Sequence, residues 1–303
     1  MRRMLGPIVK CLVVVSWLVL GSSLQAQQDE ETSIAAIDPS RSRVPTLFSW
    51  GTRLPDDDDG DDAIVTDRPH LSEASSLVGL GVWQIESGYT YFGNNNHDTR
   101  TNTSSLPETL LRAGLFVPWF EFRLGANFFN ERTWHSDGSR DSNAGFDDLY
   151  LGAKLGLFQQ RGWLPEVAIF PQTRVPVGQR ELSDHAWLPG FNLAYSWVIT
   201  DWLELECNTQ LNRRREESGG FYAEVIQTAN FEYQFTERLG GFTEWFGAMP
   251  NGADDSATGP VHYFHAGLVY LITPNIQVDV HAAKGLSDHS NDFFAGPGLS
   301  ARF

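Results

Sequence analysis

From about residue 82 to its end the chain repeats one pattern. Segments of roughly ten residues, in which apolar and polar side chains alternate, are separated by connections that are short, then long, then short again. A period of two means a strand whose two faces meet different surroundings. In 82–92, Trp83, Ile85, Tyr89 and Tyr91 share one face, and Gln84, Glu86 and Thr90 the other. In 120–129, Phe120, Phe122, Leu124, Ala126 and Phe128 oppose Glu121, Arg123, Gly125 and Asn127. In 147–157, Leu149, Leu151, Ala153, Leu155 and Leu157 stand against Asp148, Tyr150, Gly152, Lys154 and Gly156. With 109–117 and further segments near 163–175, 190–200, 202–211, 222–235, 239–248, 261–272, 275–283 and 293–303, the count is twelve.

The connections separate a barrel from a sandwich. Short ones fall at Pro118-Trp119, 159–162, Thr200-Asp201, 236–238 and 273–275. Long ones, rich in Gly, Asn, Asp and Ser, fall at 93–108, 130–146, 176–189, 212–221, 249–260 and 284–292. A soluble sandwich has no reason to sort its loops by side, whereas a membrane barrel has short periplasmic turns and longer extracellular loops. The expected fold is therefore all-β: a single-chain antiparallel transmembrane β-barrel of about twelve strands. Trp119, Trp163, Trp197 and Trp202 gather at the short turns, as interfacial aromatics do. The last strand ends on Phe303, the aromatic terminus by which the barrel-assembly machinery would recognise such a chain.

The first 26 residues read as a secretory signal. Arg2, Arg3 and Lys10 are followed by the apolar run Cys11 to Leu20 and a small residue at Ala26. Ten apolar residues are too few for a membrane helix, which needs about 20. Mature localisation in the outer membrane is the implied outcome, with outer-membrane lipid and a small-molecule solute as partners. Without the signal only Cys207 remains, so no internal disulfide can form. Net charge is −16, and −19 without the three basic residues of the signal, which opposes nucleic-acid binding. The mean hydropathy of −0.28 fits strands that average a lipid face with a polar lumen face.

Residues 27–63 form an acidic stretch ending in Asp56 to Asp62 and read as a disordered periplasmic tail. They lack the spaced ligands of a calcium loop. Residues 64–81 lead into the barrel, which occupies 82–303. If the apolar faces meet lipid, the inward face carries Glu86, Arg112, Glu121, Arg123, Asp148, Lys154, Glu166, Arg174, Glu204, Glu206, Glu224, Glu232, His265, Asp279 and His281 as lumen-lining candidates, with Glu244 and Arg302 beside them. Charges facing lipid at mid-depth would cost about 2–4 kcal/mol each for Arg or Lys. Segment 239–248 sorts poorly, because Phe242 and Phe246 share Glu244's face. His265 and His281 lie on neighbouring inward faces, and a turn at Pro274 would bring them diagonally close. No third ligand is evident beside them, so no metal and no cofactor are assigned.

A recurring family pattern enters just before the first strand. Thr66-Asp67-Arg68-Pro69, Ser72-Glu73 and Gln84-Ile85-Glu86-Ser87-Gly88, with Gly145 to Leu149 and Leu151 to Lys154, resemble the MetA-pathway of phenol degradation family. The ending Gly296 to Phe303 fits as well. His70 departs from the pattern, standing where an aspartate is more usual. The resemblance implies a barrel that admits small compounds, hydrophobic or aromatic ones among them. From the residues themselves, Asp67, Arg68, His70 and Glu73 are candidates for a plug, with Arg68 meeting an acidic wall, Asp67 a basic one, and Pro69 fixing the bend. A rim-packed lead-in is the alternative.

Passive transport of a small solute is thus the expected function. A sealed structural or adhesive barrel is the second reading. An outer-membrane lipid hydrolase is the third: it would need a serine with a histidine in reach, whereas Ser196 has only Asn192 near it on its strand and no Gly-x-Ser-x-Gly is present. No catalytic residue is assigned.

Overall fold

The computed structural model describes residues 45–48, 63–96, 98–216, 218–254 and 258–303. The signal and most of the acidic stretch lie outside them. Thirteen strands are formed: β1 (Trp83–Asn95), β2 (Thr99–Gly114), β3 (Phe120–His135), β4 (Arg140–Phe146), β5 (Leu149–Phe158), β6 (Glu166–Val175), β7 (Leu188–Thr200), β8 (Leu203–Arg215), β9 (Phe221–Gln234), β10 (Leu239–Asn251), β11 (Val261–Thr273), β12 (Ile276–Gly285) and β13 (Phe293–Arg302).

Each strand pairs antiparallel with its neighbour, and β1 pairs with β13 to close the ring. β4 and β5 both pair with β3 and together make one stave interrupted at Asp147-Asp148, so the thirteen strands form a twelve-stave barrel. Closure leaves β4 as the one strand paired on a single side among the described residues. The seam is completed by the chain's last residue: Trp83 and Phe303 exchange backbone hydrogen bonds of 3.1 and 2.8 Å.

The alternation is physical. Along β1, Trp83 and Ile85 are exposed while Gln84, Glu86, Gly88 and Thr90 are buried. The outer surface carries Leu211, Phe231, Trp245, Phe264, Leu268, Tyr270, Val280 and Leu299, all exposed. The buried set is dominated by polar and charged side chains. This is a globular protein turned inside out, stable only if the apolar face meets something other than water. No helix among the described residues is long and apolar enough to cross a membrane, which says nothing about strands.

Two expectations from the sequence need correction, and the segment that sorted poorly is resolved. Much of 93–108 and 130–146, read as long loops, is strand. β1 continues to Asn95 and β2 starts at Thr99, and β3 and β4 continue to a turn at 136–139. The longer connections that remain are 176–187, 252–260 and 286–292. In β10, Phe242, Glu244 and Phe246 all point inward and are buried, so this stretch of the inner wall is partly aromatic. Within the stretch read as a disordered tail, Pro45–Phe48 is held against β5: the Leu47 and Phe48 amides donate to the Gly156 and Leu157 carbonyls at 2.8 and 2.9 Å.

Candidate functional site

Residues 64–77 run through the barrel interior. Ile64, Thr66, Asp67, His70, Ser72, Ala74, Ser75 and Leu77 are buried, and their partners lie on strands on every side. A segment without regular structure must place its backbone donors on side chains. Here the acceptors are mostly inward carboxylates. The Asp67 and Arg68 amides donate to Glu86 at 3.0–3.1 Å. The Leu71 and Ser72 amides donate to Glu244 at 3.0 and 2.6 Å. The Glu73 amide donates to Asn208, and Val78 to Glu121 at 3.0 Å.

One wall is basic. Arg112 and Arg123 face each other directly across β2 and β3, and Glu121 is opposite Lys154 across β3 and β5. Two guanidinium groups in register repel unless an anion lies between them. Asp67 supplies it: its carboxylate lies 2.5 Å from Arg123, 3.2 Å from Arg112 and 3.6 Å from Lys154. Burial by itself would raise the Asp67 pKa, but the charges of Arg112, Lys154 and Arg123 prevail and hold it far below the usual carboxylate range. Glu86 and Glu121 add bonds of 3.1 and 2.8 Å to Arg112, and Glu73 reaches Arg123 at 2.8 Å and Asn192 at 2.6 Å. Lys154 donates to the carbonyls of Ala74 and Ser76, both at 2.9 Å. Arg123 and Lys154 also lie over the Phe170 ring, at 5.1 and 5.0 Å.

The opposite side is acidic and carries the imidazoles. Arg68 reaches Glu108 at 2.9 Å and Asp279 at 3.8 Å. A relay of short contacts runs from Ser72 through Glu244 to His265 (2.9 Å), His281 (3.0 Å) and Thr90 (3.5 Å), then to Glu108 (2.9 Å). His70 lies 2.7 Å from Glu232 and 3.9 Å from Glu206. Burial would lower the His70 pKa, but the bond to Glu232 and the charges of Glu232, Glu206 and Glu244 hold it well above the usual imidazole value.

The remaining candidates are spread along the bore. Glu166, Glu204, Glu232 and Arg302 line a cavity of about 470 Å³ at the short-turn end, below the segment. At the other end Arg174 pairs with Asp147 at 2.6 Å and Glu224 with Arg214 at 2.7 Å. Asp148 accepts from the amides of Gly178 and Asp184, and so pins the 176–187 connection. Asn208 and Phe170 were not singled out from the sequence, although each lies on the inward parity of its strand. Glu108 escaped because its stretch reads as loop.

Residues 66–303 match the sequence profile described as Putative MetA-pathway of phenol degradation. The chain belongs to this family. Among solved structures, the COG4313 outer membrane channel from Pseudomonas putida F1 aligns with a TM-score of 0.61 at 10% identity, covering 76% of this chain and 98% of that one. The transport unit of the autotransporter AIDA-I from Escherichia coli follows, with a TM-score of 0.48, 13% identity, and coverage of 73% and 89%. No curated protein matches the chain significantly.

Thr66 to Arg68 and the β1 stretch Gln84 to Gly88, which carry the resemblance read from the sequence, lock the segment to β1. Gln84 donates to the Val65 carbonyl at 2.8 Å, Glu86 caps the Asp67 and Arg68 amides, and Gly88 leaves room for the Arg68 guanidinium. A Cβ at Gly88 would sit 2.1 Å from Arg68 Nη2, and one at Gly298 would sit 2.7 Å from Arg68 Nε. Thr66 accepts from Gln277 at 2.8 Å and donates to the Arg68 carbonyl at 2.6 Å. The two motifs are the two halves of one joint.

Proposed function

We propose that this protein is an outer-membrane channel for passive entry of small solutes, apolar and aromatic compounds among them, and that residues 64–77 are its plug. The observation that carries this reading is the polar segment crossing the interior of a barrel whose outer face is apolar. An apolar outside calls for lipid, and a bore crossed by an ion-paired segment calls for control of passage. The similarity to a solved outer membrane channel agrees with the fold this requires.

An apolar solute is favoured by the inner wall beyond the segment, where Phe246, Tyr263, Ala283 and Phe294 form a buried cluster against Phe92. A water-filled general pore has no use for such a patch, whereas a ring-shaped solute does. The short-turn end faces the periplasm in this reading, the chain is delivered there by its export signal, and Phe303 presents the last strand to the assembly machinery. That terminal side chain is 75% exposed, free for such a contact.

Solute flux into liposomes holding the folded protein tests the proposal, with phenol and toluene compared against sugars and charged amino acids. Faster entry of the aromatics, and a rise in conductance when residues 64–77 are deleted, are expected. No flux from either form would overturn it in favour of a sealed structural or adhesive barrel, a reading to which the interior ion network gives weight. For a lipid hydrolase the geometry offers little: Ser196 Oγ is bonded to Ser75 Oγ at 2.7 Å, with no imidazole in that contact.

A further inference from the structure

Where the segment meets β8 and β9, the side chains make a donor set that neither the fold nor the passage of a solute requires. His70 Nε2, one oxygen of Glu206 and one of Glu232 lie within 4.8 Å of one another. His70 comes from the segment, Glu206 from β8 and Glu232 from β9, so the three converge from separate stretches of chain. The His70 Nδ1 is engaged by the Ser72 carbonyl, which requires the proton on Nδ1 and turns Nε2 toward the carboxylates. A backbone carbonyl holding the far nitrogen is how metal-binding imidazoles are oriented.

A second observation points to a ligand. Asn230 is fully buried beside this set, its Nδ2 lies 3.4 Å from both Glu206 and Glu232, and its Oδ1 has no hydrogen-bond partner among the described residues. Half a turn of that amide would aim the orphaned oxygen at the same point as the three donors. Charge argues the same way. Glu204 and Glu232 stand directly opposite each other in the β8–β9 register, with Glu206 one inward position along.

We propose that His70, Glu206 and Glu232, with the Asn230 amide as fourth donor, bind one divalent transition-metal ion of the zinc class and thereby staple the segment to the β8–β9 wall. One imidazole with two carboxylates is a borderline donor set that suits zinc over calcium or magnesium, which take oxygen alone. Tetrahedral bonds of about 2.0–2.2 Å need only small shifts from the present spacing. Glu232 has 36% of its side chain exposed to the cavity at the short-turn end. That cavity is also the entry path.

The test uses the full folded chain in detergent, stripped with chelator and titrated with Zn²⁺ by calorimetry and with Co²⁺ by visible absorption. One saturable equivalent and a tetrahedral Co²⁺ band are expected. Glu232→Gln should weaken Zn²⁺ binding by about tenfold or more, and His70→Ala should remove the band. Folding of each variant is checked by heat-modifiable gel migration. If His70→Ala does not fold, the partly exposed Glu232→Gln decides alone. Absence of a saturable equivalent, or an affinity unchanged in Glu232→Gln, would overturn the proposal and place any bound metal elsewhere on the chain.

Discussion

The two walls that grip the segment solve the same electrostatic problem in different ways. On the basic side, like charges in register (Arg112 opposite Arg123) are interleaved with Asp67, Glu73, Glu86 and Glu121, every contact at 3.2 Å or less. On the acidic side, Glu204 is opposite Glu232, and the segment brings a single imidazole, His70, to Glu232 and Glu206. In the first wall all but Glu73 are buried, whereas the second opens through Glu232 and Glu204 onto the cavity. A dry network must be complete, because a buried charge that loses its partner is left with the full cost of its desolvation. A wet one can leave part of its compensation to water or to an ion.

The sharpest way to break this contrast is Asp67→Ala. It removes the anion shared by Arg112, Arg123 and Lys154 while leaving all three cations buried. A loss of about 3–5 kcal/mol in denaturant-induced unfolding of the folded barrel is expected. The pH dependence has a defined sign. Asp67's pKa is lowered on folding, so its contribution is fully present above the unfolded carboxylate value of about 3.9 and is lost as pH falls through the much lower folded value. The gap between wild type and Asp67→Asn should therefore stay constant from neutral pH down to about pH 4 and close only below it. A gap that closes between pH 7 and pH 5 would mean that Asp67 is not the charge holding this wall together.

A smaller effect is expected where the segment is held by shape. At Gly88→Ala the new methyl meets the Arg68 guanidinium, which must swing away from Glu108. A cost of about 1–3 kcal/mol is expected, in line with overpacking elsewhere, together with faster proteolysis near residues 64–70 in the otherwise folded barrel. Unchanged proteolysis would show that the Arg68 contacts do not anchor the segment.

How much of this was legible in the sequence follows from where the alternation has a cause. Between the apolar outer band and the polar lumen the two faces differ, and β1, β3 and β5 announced themselves with their inward residues already sorted. Beyond that band both faces are largely polar. The ends of β1 to β4, such as Thr99 to Ser105 and Arg140 to Asn143, lose the pattern and read as loop while remaining strand. Glu108 was hidden for that reason. The aromatics Phe242 and Phe246 obscured β10 because they point inward, against the polar-lumen rule. Inward parity could name Arg112, Glu121 and Arg123 singly. Their assembly around Asp67 depends on the register between strands and on a segment without periodicity, and neither is written in any one stretch of chain.

The last comparison is the most sensitive to the difference between the walls. Glu232→Gln removes one charge from the wet side, as Asp67→Ala does from the dry side. It weakens the bond to His70 but also relieves the repulsion with Glu204 across β8 and β9, and cross-strand terms of this kind are worth only about 0.2–1 kcal/mol. In metal-free protein the two effects oppose, so the net change should stay within about 1 kcal/mol. With Zn²⁺ present, a stapling ion adds its binding free energy to the wild type alone, and the same substitution should become visibly destabilising. A large loss without metal would mean that the acidic wall is as tightly interlocked as the basic one. A small loss that grows on adding metal would show that this wall keeps a place for a cation, which the other, already lined by Arg112, Arg123 and Lys154, does not.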